Sequence, residues 1–132
     1  MISPMLAYED VGAAADWLVD VFGLEEAERY TDDGRVSHCV MTLGDGTLHL
    51  GDPGHGYESP SHHAETCRRA AHWRESPYII DGVLAEVPDV AAHYERAKAR
   101  GATIVTELET SDRGARYRAE DCEGHRWMFT GR

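Results

Sequence analysis

The side chains of this chain best suited to chemistry are its eight histidines and three cysteines, and their spacing limits what that chemistry can be. Four histidines and one cysteine fall in a single stretch: His55, His62, His63, Cys67 and His72. If residues Ser61 to Glu75 form a helix, His63 and Cys67 are four apart and share a face. Such a pair could ligate zinc with help from elsewhere, but no second paired motif supplies the remaining ligands. The alternative is a solvated helix or flap with incidental histidines, and Cys67 as a small buried residue. Histidine is the side chain whose unperturbed titration falls nearest neutrality, so His49 could serve as a general base. A base needs a partner to orient it, and the sequence identifies none. Cys39 sits in an apolar strand, where thiols are usually inert.

The elements that must position these groups come in two similar sets. Ile2 to Tyr8 reads as a short apolar strand. Glu9-Asp10 offers an N-cap to a helix with Val11, Ala14, Ala15, Leu18 and Phe22 on one face, and Gly23 is placed to end it. Strands follow at Leu24 to Thr31, Val36 to Leu43 and Thr47 to Leu50, separated by turns at Asp32-Asp33-Gly34 and Asp45-Gly46. The second half repeats the order. Ile79 to Val87 is a strand, Pro88-Asp89 starts a helix with Val90, Tyr94 and Ala97 inward, and Gly101 ends it. Strands at Thr103 to Leu108, Ala115 to Glu120 and His125 to Thr130 complete it, with turns near Asp112 to Gly114 and at Glu123-Gly124. Gly23 and Gly101 are 78 residues apart (101 − 23), as are Gly46 and Gly124 (124 − 46); the helix faces match better at 79.

The length of 132 residues suits one domain or two small modules sharing a core. No apolar run approaches a membrane span, and Met1 to Tyr8 lacks the basic lead of a signal peptide. Three cysteines without a Cys-x-x-Cys pattern point to a reduced, cytoplasmic protein. A formal net charge of -11 argues against nucleic acid as a partner. That charge is compatible with attracting a cationic small molecule, or simply with keeping the protein soluble.

Three segments carry a resemblance to a known family. Val87 to Gly101, Val-Pro-Asp-Val-Ala-Ala-His-Tyr-Glu-Arg-Ala-Lys-Ala-Arg-Gly, resembles the second helix of the vicinal oxygen chelate superfamily. That superfamily includes glyoxalase I, bleomycin-resistance proteins and extradiol dioxygenases. Tyr117 to Phe129 resembles its closing signature, usually Asp-Pro-Asp/Glu-Gly before a strand, with Cys122 in place of the Pro. His63-Ala64-Glu65-Thr66-Cys67 is similar to a segment of metal-free relatives. The resemblance implies an α+β fold of two βαβββ modules forming an incomplete eight-stranded barrel around a cleft, usually in a homodimer. Residues 1–52 would be module one, 53–77 a connecting segment and 78–132 module two, within a single domain.

Metal-dependent members hold a divalent cation with His or Glu on the first and last strands of each module. The corresponding positions here are Pro4, His49, Gly82 and Met128. Only His49 suits a hard or borderline metal. A one-residue shift would turn each side chain to the opposite face. The resemblance therefore implies no metal at the usual place and no cofactor. Alternation puts Arg126, Met128 and Thr130 on the cavity side, with His125, Trp127 and Phe129 toward the helix. It groups His49 with Thr47, Tyr8 with Leu6 and Pro4, and Glu86 with Leu84 and Gly82. Arg116 and Arg118 share one face of their strand, Tyr117 and Ala119 the other, with neither pair assigned to the cleft. The expected ligand-binding residues are Tyr8, His49, Trp73, Glu86, Arg126 and Met128, with Tyr57 and Trp73 able to close over an aromatic ligand.

Three functions fit. The first is a metal-free protein that binds a small organic or drug-like ligand and catalyses nothing. The second is a lyase, isomerase or dioxygenase with a displaced metal site built from His49 with His38 or the connecting-segment histidines. The third is a metal-independent enzyme with His49 as base.

Overall fold

The computed structural model describes residues 1–77 and 81–131. Module one runs β1 (Met5–Ala7), α1 (Val11–Trp17), β2 (Glu25–Asp32), β3 (Arg35–Leu43) and β4 (Gly46–Gly51). Asp10 caps α1 by accepting from the Ala13 amide. The helix widens into a π-helical turn over Leu18–Phe22, and Gly23 ends it at a φ of 74°. The connecting segment forms two short helices, α2 (Pro60–Thr66) and α3 (Arg68–Trp73). A single helix from Ser61 to Glu75 is not formed, because Cys67 takes an extended conformation between them. Module two repeats module one as β5 (Gly82–Glu86), α4 (Val90–Ala99), β6 (Thr103–Ser111), β7 (Gly114–Glu120) and β8 (Arg126–Gly131). Asp89 caps α4 as Asp10 caps α1. Ile79 and Ile80, expected at the start of the fifth strand, lie outside the described residues.

Each module is a four-stranded sheet, in the order β1-β4-β3-β2 and β5-β8-β7-β6. The first strand is parallel to the last in both, and the other neighbours are antiparallel. The eight strands thus form two sheets rather than a closed barrel.

One hydrophobic core serves both modules. Val11, Ala14, Leu18 and Phe22 of the first helix pack with Leu48 and Leu50 of β4 and with Tyr117, Trp127 and Phe129 of module two. Phe22 meets Trp127 and Phe129 at centroid distances of 5.3 and 4.8 Å. Each such buried side chain contributes about 1.5–3 kcal/mol by leaving water.

The closing signature makes the polar joint between the modules. Asp121 is buried. Its Oδ2 accepts from the Tyr8 hydroxyl at 2.5 Å and from Trp127 Nε1 at 3.1 Å. Its Oδ1 accepts from the amides of Glu123 and His125. Glu123 in turn receives the amides of Glu9 and Asp10 at 2.6 and 3.0 Å, while His125 Nε2 donates to the Ala7 carbonyl at 2.7 Å. Asp45, in the matching turn of module one, is exposed.

Candidate functional site

With the helices and core on one side of each sheet, the chemistry available to a ligand lies on the other. Strand register assigns that outer face. In sheet one, Met5, His49, Val40 and Glu28 line up across β1, β4, β3 and β2. In sheet two, Leu84, Met128, Arg118 and Thr106 form the equivalent row across β5, β8, β7 and β6. The next row of sheet two is Gly82, Arg126, Glu120 and Thr103.

This register corrects the reading of β1. Leu6 pairs with Leu50 and packs on the core, so Met5 stands beside His49 on the outer face. Tyr8 is fully buried with its hydroxyl on Asp121, and burial pushes its pKa up. It is a joint between modules, not a wall of the cleft. The outer positions of the first and last strands are therefore Met5, His49, Leu84 and Met128. They offer one nitrogen and two thioethers, a poor set for a hard divalent cation. Among the described residues no three His, Cys, Asp or Glu side chains converge in a way that could hold a metal ion.

His49 does have a partner. Its Nδ1 lies 2.9 Å from His38 Nε2, and Tyr30 packs edge-on against His38 at 5.7 Å between ring centroids. The Tyr30 hydroxyl donates to Glu28. The two imidazoles are eleven residues apart in sequence and meet only because β3 and β4 are antiparallel.

Sheet two carries Arg118 and Arg126. Tyr117 and Ala119 enter the core, so Arg118 is on the outer face. Arg126 is buried rather than at a surface rim. Its Nε donates to Glu120 at 2.8 Å, and its Nη atoms donate to the carbonyls of Ser76 and Arg74. Arg74 also donates to Glu120, at 2.6 Å, and to the Gly124 carbonyl. This cluster fastens the end of the connecting segment to β7 and β8. Gly82 makes room for it, since a Cβ there would sit 2.9 Å from the Arg126 carbonyl oxygen and touch the Arg126 Cβ.

At its other end the segment is tied to both modules. Ser59 caps α2, the Ser61 amide donates to the Glu123 carbonyl, and His62 lies 3.0 Å from Glu9. Hydrogen bonds from Ser59 and His62 hold the Glu9 carboxyl below the usual range, and Glu9 raises the His62 pKa. The Tyr57 hydroxyl donates to the Ala7 carbonyl. Trp73 ends α3 and is 43% exposed. Cys39 is buried, and burial raises its pKa.

A concavity of about 210 Å³ opens on sheet two between Pro77, Leu84, Arg118, Arg126, Trp127 and Met128. Glu86 is exposed and lines a separate cleft of about 220 Å³ with Pro4, Thr47 and Leu84. His49 and Met128, each expected on the closing strand of its own module, stand on the outer faces of the two sheets. Arg118 and His38 are the residues that alternation alone left unassigned. The aromatic and small neighbours of Arg118, Tyr117 and Ala119, were the available signal, because such residues favour the core side.

Paired βαβββ sheets with an open face define the glyoxalase-like class. The chain belongs to the Glyoxalase/Bleomycin resistance protein/Dioxygenase superfamily, whose family model matches residues 2–129. It is similar to TioX from Micromonospora sp. ML1, with 30% identity, a TM-score of 0.73, and coverage of 99% of this chain and 98% of that one. An uncharacterized protein of Mycobacterium tuberculosis is 30% identical over 130 residues, which span 97% of this chain and 72% of the relative. TnmS3, an antibiotic-binding protein from Streptomyces sp. CB03234, shares the fold at 16% identity and a TM-score of 0.64, covering 99% and 95% of the two chains. No described helix is long and apolar enough to cross a membrane.

Proposed function

We propose that the chain binds a small organic ligand on the outer faces of its sheets without a metal or cofactor and without chemical turnover. The carrying observation is the make-up of those faces. The outer positions of the first and last strands hold Met5, His49, Leu84 and Met128, beside a concavity walled by apolar side chains and arginine. Such a lining suits recognition of a flat or amphipathic molecule. His49, Met128 and Arg126 contribute to these walls, with Glu86 at a neighbouring rim and Trp73 on the segment above. We further infer a homodimer in the cytoplasm. Met5 and Leu84 are 74% and 65% exposed on the open faces, and apposing one sheet with another copy's would cover both.

The contact between His38 and His49 supports a second reading, in which the two imidazoles hold a displaced metal for a lyase, isomerase or dioxygenase. Elemental analysis and a ligand-library thermal-shift screen on the purified chain separate the readings. Saturable stabilisation by an organic ligand, unchanged by chelator, is the expected result. A stoichiometric divalent metal whose removal abolishes binding or turnover would overturn the first reading. Light scattering of the eluted peak reports the oligomer.

A further inference from the structure

The chain carries a formal net charge of -11, which at long range favours cations. The concavity on sheet two has the opposite local charge. Glu120 is a single carboxylate shared by two guanidinium groups, Arg74 at 2.6 Å and Arg126 at 2.8 Å, so that group of three carries one excess positive charge. Arg118 stands on the same face in the neighbouring row, 8% exposed, and lines the cavity together with Arg126. Two acidic side chains of this sheet open or pair elsewhere. Glu86 lies two residues beyond Leu84 on β5 and opens to a different cleft, and Glu109 pairs with Arg116 at 3.0 Å.

Distance and dielectric decide which charge a bound ligand meets. Remote surface carboxylates are screened over about 8 Å at physiological ionic strength. Guanidinium groups in a partly dehydrated pocket act at contact range, where attraction is several times stronger than in water. Their planar N–H forks also match a carboxylate in shape. Leu84 and Met128 supply apolar wall beside them.

We propose that this cavity takes an amphipathic organic anion, its ring system against Leu84 and Met128 and its acidic group between Arg118 and Arg126. The assignment rests on the ligand-binding reading above and names the ligand's chemical class. Acidic groups of other kinds, such as sulfonates, share the same recognition.

Three planar probes of one scaffold test it by calorimetric titration of the full chain: 2-naphthoate, 2-naphthamide and 2-naphthylmethylammonium. The naphthoate is expected to bind about tenfold tighter than the amide, the worth of one charge-assisted hydrogen bond. Its affinity should fall as sodium chloride is raised, while that of the amide holds. Arg118→Gln should erase the preference for naphthoate, and Arg118→Lys should keep part of it. Equal binding of all three, or tightest binding of the ammonium, overturns the anion assignment and leaves ligand binding standing. Binding of none overturns both. The salt dependence uses the parent protein, so the test survives a variant that fails to fold.

Discussion

Replacing Asp121 by Asn probes the joint that holds the two modules together. The carboxylate is 5% exposed and accepts four hydrogen bonds, two on each oxygen. Asn has the same shape but only one acceptor oxygen. If its NH₂ faces the amides of Glu123 and His125, two backbone donors lose their acceptor. If it faces Tyr8 and Trp127, the tyrosine hydroxyl can turn to accept, but the indole N–H cannot. The second orientation loses less and sets the estimate. An orphaned buried indole N–H costs about 1–3 kcal/mol, and the two retained backbone bonds weaken by about 1 kcal/mol each without the charge. The lower cost of burying a neutral amide offsets part of this, leaving a net loss of about 3 kcal/mol. That is a large fraction of a stability of about 5–15 kcal/mol. Urea unfolding followed by tryptophan fluorescence should show the midpoint falling by roughly 1–3 M at an unchanged slope. Asp45→Asn, in the matching exposed turn, is the control and should stay within about 0.5 kcal/mol of the parent. Tyr8→Phe should cost less in the Asp121→Asn background than alone, by about 1 kcal/mol. A loss under about 1 kcal/mol for Asp121→Asn, or no coupling to Tyr8, would refute the idea that this carboxylate is the joint.

Three further perturbations address the connecting segment and a buried histidine. Gly124 has a φ of 90°, and a Cβ there would lie 2.8 Å from the Ser61 amide nitrogen and 2.9 Å from Arg74 Nη1. Gly124→Ala should therefore cost at least about 2 kcal/mol and increase proteolytic cleavage within residues 58–77, measured by unfolding and limited proteolysis. Glu120→Gln leaves Arg74 and Arg126 facing a neutral amide and should destabilise by about 3 kcal/mol with the same increase in cleavage. His93 donates from Nε2 to the Phe22 carbonyl and accepts at Nδ1 from the Tyr117 hydroxyl, and burial lowers its pKa. The unfolded chain then binds a proton that the folded chain resists. Stability present above about pH 6.5 is lost on acidification toward the lower folded value, by up to about 1.4 kcal/mol per pH unit. His93→Gln should flatten that acid-side slope in urea midpoints measured from pH 7.5 downward.

Much of the architecture is legible because it depends on near neighbours. The capping aspartates at Asp10 and Asp89, the positive φ at Gly23 and Gly101, and the inward faces of both helices all occur where the residue pattern puts them. The site is less legible. Strand β1 is only three residues long, Met5–Ala7, so alternation extended outward to Pro4 and Tyr8 left the strand and put the wrong face toward the cleft. In module two the same reasoning placed Leu84 correctly on the outer face, since β5 there runs five residues in register with β8. The connecting segment broke at Cys67 although its composition suits a helix; its first half is tied to Glu9 and Glu123 and its end to Glu120.

Short-range chemistry is enough to specify the repeated βαβββ order, its turns and the residues that must leave water, since each depends on side-chain period and local backbone freedom. Only the folded chain brings His38 against His49 and buries Asp121 beneath Tyr8. Only there does Glu120 meet guanidinium groups 46 residues back and six residues ahead in sequence. Those contacts depend on strand register and on closing long loops around a shared core. Neither is encoded in the residues flanking each group, and together they turn an acidic chain's cleft into a cationic pocket.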